Sequence, residues 1–272
     1  MKKLSVFLLL ILGITTSFGQ EGDKNDFPEF TGENFSLEGA LALFKQANSL
    51  EEFEKLINDE KNNVNNLDLN NDGETDYIVV QDIQEKDTHV IVLSTYLNEK
   101  EKQDIATIGI EKTGNESAIL QIEGDSELYA ENTIVEPFEV DEKIEKSKGG
   151  PNVLEITPTG AVVNVWFWPS VRFLYAPGYV VWVSPHRWGF YPRWWKPWKP
   201  YRYSVFYGKC AHHRVLYRKT TTHRVVVARK VYSPRRSKST IVVHNRRGTT
   251  VVHKNKRGRT TVVKTKRRGG RR

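Results

Sequence analysis

Residues 68–76 read Asp68-Leu69-Asn70-Asn71-Asp72-Gly73-Glu74-Thr75-Asp76, and a Val/Ile-rich run from Tyr77 to Ile83 follows at once. Side-chain oxygens fall at the first, third, fifth and ninth positions of this stretch. Gly73 stands sixth, where a calcium loop must turn sharply, and Glu74 stands seventh, where a backbone carbonyl serves as ligand. The pattern predicts a Ca²⁺ ion held by the side chains of Asp68, Asn70, Asp72 and Asp76 and the carbonyl of Glu74. The alternative is a polar Asx-rich turn that enters a strand without metal. Either way the loop marks the point where the chain passes into a sheet.

Downstream, Tyr77 to Ile83 and His89 to Tyr96 read as a hairpin, and Ile105 to Glu111 with Ala118 to Ile122 as a second pair around Thr113-Gly114-Asn115. Upstream, Ser36 is a natural N-cap before Leu37, Ala40, Leu41 and Phe44, which share a helical face. Ser49 and Glu52 form a capping-box pattern ahead of Phe53, Leu56 and Ile57. Two short amphipathic helices need a surface to pack on. The expectation is an α+β domain over residues 35–138, with two N-terminal helices on one face of an antiparallel sheet.

An EF-hand requires flanking helices and a bidentate Glu at position twelve, which here is Val79. The nine-residue loop running into Tyr77 and Ile78 instead resembles the calcium loops of FG-GAP propeller repeats and, more loosely, of dockerins. That resemblance covers about a dozen residues and implies structural calcium ligation, not a propeller, because the loop occurs once. No nucleophile elbow, zinc motif or phosphate-binding glycine loop occurs. His89 is the only histidine of this half and is expected half-exposed on a strand, with a general-base role as the alternative. The reading is therefore of a protein without catalytic residues.

Charge divides the chain. Residues 21–145 carry 32 acidic and 9 basic residues (net −23), and residues 146–272 carry 30 basic residues and one acidic, Glu155 (net +29). Such asymmetry predicts modules with different partners. Residues 139–152, with Gly149-Gly150-Pro151, read as a linker. All seven Trp residues follow, between Trp166 and Trp198. Residues 153–208 are expected to form a small aromatic-rich β segment, with strands at Val162–Trp168 and Tyr179–Val183. Its rings could form a core, stack on sugars or bases, or meet a membrane. The stretch Arg193-Trp194-Trp195-Lys196-Pro197-Trp198-Lys199-Pro200-Tyr201-Arg202 resembles membrane-active peptides such as indolicidin, which implies contact with a lipid interface.

Cys210, His212 and His213 are a candidate soft-metal group, though three close ligands cannot easily complete a tetrahedral site. Residues 209–272 read as a basic, low-complexity tail with loose Val/Thr copies at 220–227, 240–244, 249–253 and 260–264, of which residues 233–272 are expected to be disordered or conditionally β-forming. The tail suits a polyanion: lipopolysaccharide, acidic polysaccharide, extracellular DNA or the protein's own acidic domain.

Lys2, Lys3, the apolar run Leu4–Ile14 and the small residues Ser17 and Gly19 predict a signal peptide over 1–19, before a flexible N-terminus at 20–34. The run of 11 residues is short of the roughly 20 that cross a bilayer, so no transmembrane helix is expected. The expected location is the periplasm, the outer-membrane surface or the extracellular space. The order of leader, two helices, one Asx-Gly loop entering a strand and an aromatic, basic C-terminus resembles a set of secreted bacterial proteins, a likeness that brings no activity with it. The function expected is non-enzymatic binding. The alternatives are assembly through the opposite charges of the two halves, and a carboxylate-based hydrolase.

Overall fold

The computed structural model describes residues 26–145, 153–236, 240–245, 248–254 and 260–265. The expected leader and residues 146–152 of the expected linker lie outside them. The fold is α+β: six strands run antiparallel in spatial order β1 to β6, with β7 joining on β5. The strands are β1 (Ile78–Glu85), β2 (Thr88–Tyr96), β3 (Lys102–Gly114), β4 (Ser117–Gly124), β5 (Ile134–Glu145), β6 (Val153–Val162) and β7 (Tyr217–Thr220).

The two N-terminal helices are α1 (Leu37–Gln46) and α2 (Leu50–Ile57). Ser36 Oγ accepts the Gly39 N–H at 3.0 Å, and Ser49 Oγ accepts the Glu52 N–H at 3.1 Å, which satisfies donors that a helix start leaves free. The Glu52 carboxylate reaches back to the Asn48 N–H rather than to Ser49. The apolar stripes of both helices are buried, and the Phe44 and Phe53 rings meet edge to face at 5.2 Å. They pack on Ile78, Val80, Ile91, Leu93, Ile108 and Ile122, one face of the sheet. Burying each such side chain contributes about 1.5–3 kcal/mol.

The opposite face is also covered, which the sequence reading did not foresee. α5 (Val226–Tyr232) lies there, with Ala228 and Val231 packed against Val90 and Val92. Its close approach depends on Gly109: a Cβ on that residue would sit 2.8 Å from the Ala228 Cβ.

Several expectations need correction. Val162–Trp168 and Tyr179–Val183 do not form strands. β6 ends at Val162, α3 (Pro169–Leu174) follows, and residues 179–202 run as an irregular strap that forms only isolated bridges, Val183 with Gln81 of β1 and Arg187 with Phe190 inside the strap. Pro185, Pro192, Pro197 and Pro200 deny the strap a continuous ladder. The start of the expected linker, residues 139–145, is strand β5. Residues 209–236 are folded onto the acidic half rather than free: α4 (Tyr203–Lys209) leads into β7, which pairs with β5, and then into α5. Of the expected flexible N-terminus, residues 26–34 are fastened as well, by the Gly32 N–H donating to the Leu128 carbonyl at 2.8 Å and by Asp26 accepting from Ser204, and residues 20–25 lie outside the described residues. The last three Val/Thr copies of the tail take the β alternative, pairing as a separate antiparallel sheet of β8 (Thr240–Asn245), β9 (Gly248–Lys254) and β10 (Thr260–Thr265).

Candidate metal loop and aromatic strap

Leu67 and Leu69 are buried and anchor the loop's entry, while Asp76 and Thr75 are buried at its exit. Asn71 (φ 67°) and Gly73 (φ 86°) take the left-handed conformation that bends the segment back. The expected ligand side chains turn inward on backbone donors. Asp68 accepts from the Asp72 and Gly73 N–H groups at 3.1 and 3.0 Å, Asp72 accepts from the Glu74 N–H at 2.9 Å, and Asp76 accepts from the Leu69 N–H. Asn70 Nδ2 donates to Asp72 Oδ2 at 2.7 Å.

Burial pushes the Asp76 carboxyl up to about 8, and the charges of Asp68 and Asp72 add to the shift. Burial also raises Asp68, again with Asp72 contributing. Neighbouring carboxylate charge thus adds to burial in opposing the ionisation of Asp68 and Asp76. A donor set of carboxylate, amide and carbonyl oxygens has the chemistry of a hard cation site. Against that stands the geometry: among the described residues, no three His, Cys, Asp or Glu side chains are already gathered around a metal position. The oxygens of Asp68, Asp72 and Asp76 would have to release their N–H partners in part to close on an ion. Cys210, His212 and His213 are likewise not gathered. The His212 and His213 rings lie 3.8 Å apart, but His213 bonds the Asn62 carbonyl and Cys210 Sγ accepts from Arg214.

The loop is clamped to the strap by two reciprocal pairs. The Thr75 N–H donates to the Trp198 carbonyl at 2.8 Å, and the Trp198 N–H donates to Thr75 Oγ1 at 3.2 Å. Asn66 accepts the Tyr201 N–H at 2.7 Å and donates to the Tyr201 carbonyl at 3.0 Å. Further along, the Asp82 N–H donates to the Trp182 carbonyl and the Ser184 N–H to the Val80 carbonyl, so the strap covers the outer edge of β1. Its buried side packs Trp195 and Tyr191 on Tyr77, with ring centroids 5.1 and 5.2 Å away.

The outer side of the strap is different. Val180 is 81% exposed, Phe190 65%, Val183 60% and Trp194 46%. Arg187, Arg193, Lys196 and Lys199 are exposed and make no ion pair among the described residues. No acidic residue occurs between Tyr179 and Arg202.

Polar residues missed in the sequence organise the interior. Glu54, buried in α2, accepts from Tyr77 Oη, the Val80 N–H and Ser184 Oγ at 3.0, 2.9 and 2.8 Å, tying helix, sheet and strap together. Its sequence signal was slight, one Glu among the three that flank Phe53. Glu136 on β5 is buried and accepts from Arg218 and Arg224, both at 3.0 Å. His89 corrects its expected half-exposure. It and Asp82 are fully enclosed (0% exposed), with Nδ1 2.8 Å from Asp82 Oδ2, which also accepts from Tyr179 Oη.

Comparison of this chain with family models, curated proteins and solved structures finds no match. Among the described residues, no helix is long and apolar enough to cross a membrane.

Proposed function

We propose that the chain is a non-enzymatic binding protein of the periplasm, outer-membrane surface or extracellular space, whose aromatic strap docks on an anionic lipid surface such as one bearing lipopolysaccharide. The observation that carries this reading is the strap's outer side, where exposed Val180, Val183, Phe190 and Trp194 sit among unpaired Arg187, Arg193, Lys196 and Lys199. Indole rings favour the bilayer interface, and each cation near an anionic surface contributes about 1 kcal/mol. Ca²⁺ bound by Asp68, Asn70, Asp72, Asp76 and the Glu74 carbonyl would relieve the mutual repulsion of the loop carboxylates. Through Thr75 and Trp198, it would also fix the strap.

A second reading gives the basic half the role of counter-charge for the acidic half. It is favoured by the ion pairs of Arg218 and Arg224 with Glu136 and of Arg236 with Asp125. In that case, the polyanion expected for these residues lies within the chain itself.

Sedimentation of the full chain with vesicles of neutral phosphatidylcholine, with or without phosphatidylglycerol, tests the proposal. Binding is expected only to the anionic vesicles, weakening as salt rises, and Trp194→Ala with Lys196→Ala should abolish most of it. Failure to bind anionic vesicles sinks the lipid reading. Heparin binding that survives those two substitutions would move the function to a soluble polyanion.

A further inference from the structure

On a side of the molecule built from other residues than the strap lies an open cavity of about 800 Å³, walled by the turn Thr31–Asn34, the first turn of α1, α4 and β7. Glu38 on α1 lines it and is only 8% exposed. Among the described residues, no hydrogen bond or ion pair engages its carboxylate, and its oxygens are not among the enclosed orphan atoms, so they keep contact with open space. A carboxylate sunk this far into a wall keeps only part of its water and has no protein donor in its place, which leaves it free to receive one from a ligand. The positive end of α1 offsets part of that loss but supplies no hydrogen bond, since Ser36 already accepts from Gly39.

Two cations, Arg214 and Lys219, line the same cavity, and neither forms an ion pair with Glu38 among the described residues. Arg214 lies over the Tyr207 ring at 3.6 Å and donates to the Tyr207 carbonyl at 2.9 Å and to Cys210 Sγ at 3.0 Å. A second carboxylate, Glu33, lines the same cavity and accepts from Tyr203 Oη at 3.1 Å. Phe30 and Tyr207 contribute aromatic surface to the walls. An unpartnered buried carboxylate, a second acid beside it and aromatic walls suit a ligand with a positive head and an apolar body.

We propose that this cavity binds a small organic ammonium ion, its charge held by Glu38 and Glu33 and its body placed against Phe30 and Tyr207.

Benzylamine is the probe, and benzyl alcohol, which is nearly the same shape without the charge, is its control. Cys210 is the only cysteine and lines the same wall, so its alkylation by iodoacetamide reports occupancy in the full chain. Benzylamine is expected to slow that alkylation and to shift the amide resonances of Glu38 and Gly39, while benzyl alcohol does neither. Glu38→Gln keeps the side-chain shape and should weaken benzylamine about tenfold, the scale of one charged hydrogen bond. Equal protection by the alcohol, no protection by the amine at 10 mM (roughly the weakest affinity worth assigning to a site), or unchanged affinity in a folded Glu38→Gln protein each overturn the proposal. Should Glu38→Gln fail to fold, the amine and alcohol compared on the unmodified chain still decide it. Vesicle binding by the strap involves none of these residues, so either proposal can fail while the other stands.

Discussion

Thr75 and Trp198 hold each other through two hydrogen bonds, amide to carbonyl in one direction and amide to hydroxyl in the other, across 123 residues of chain. This pair makes the order of the Asp68–Asp76 loop and the position of the strap one problem rather than two.

Calcium should therefore be felt at both places. Extracellular calcium sites have a Kd near ~10⁻⁴–10⁻³ M, and saturation at about 100 Kd adds about 2.7 kcal/mol. Adding EGTA is expected to lower the melting temperature and to shift the tryptophan emission of the strap. Asp72→Ala should abolish both responses. A chain indifferent to EGTA has an Asx-rich turn here and no ion.

Glu136 faces Arg218 across the β5–β7 pairing, with Arg224 on its other oxygen. Glu136→Gln should lower unfolding stability by about 2 kcal/mol, since buried partners lose a charge-assisted bond. Arg218→Ala on top of it should cost little more. Additive losses in urea denaturation would separate the two residues energetically and contradict the network.

Burial holds the Glu54 carboxyl above its ordinary value of 4.5, against the hydrogen bonds from Ser184, Val80 and Tyr77 that act to lower it. The folded chain therefore keeps this proton more tightly than the unfolded chain does. Its stabilising effect is complete below about pH 4.5 and is lost as pH climbs through the raised value. The stability advantage of the natural chain over Glu54→Gln should shrink as pH rises from 4 to 7, read from urea midpoints. A constant gap would show that burial does not control this group.

Gly109 permits α5 to lie against the sheet. Gly109→Val places side-chain atoms where Ala228 and Val225 already sit, and overpacking of this kind costs about 1–3 kcal/mol. Faster hydrogen exchange should appear in Val226–Tyr232 and be small in α1. Uniform loss across the chain would mean that α5 is not a separable layer.

The acidic half was legible because its signals are local. Ser36 and Ser49 cap the helices they were expected to cap, and the Val/Ile runs after Asp76 became β1 to β4. The ninth-position Asp76 was found where the loop enters the sheet, though its carboxylate bonds the Leu69 amide. What stayed hidden depends on contacts far apart in the chain. Val180 and Val183 looked like strand residues, but proline and one-sided pairing with β1 left them as an exposed strap. Ala228 and Val231 form too short an apolar stripe to announce a helix, and only the hollow left by Gly109 gives them a place. The charge reversal was read as a boundary, yet opposite charges such as Glu136 and Arg218 are what bring the two halves together.

The strap over β1 also sets an order of events in time. β1 is complete at Glu85, but the residues that cover its outer edge, Trp182 and Ser184, come about 100 residues later. At a synthesis rate of about 5–20 residues per second, the edge of β1 stays open for roughly 5–20 s. An open strand edge is a template for pairing with a neighbouring chain. A chain that folds as it is made therefore passes through an interval in which this edge is open to a neighbour, and the strap ends that interval once it has been made.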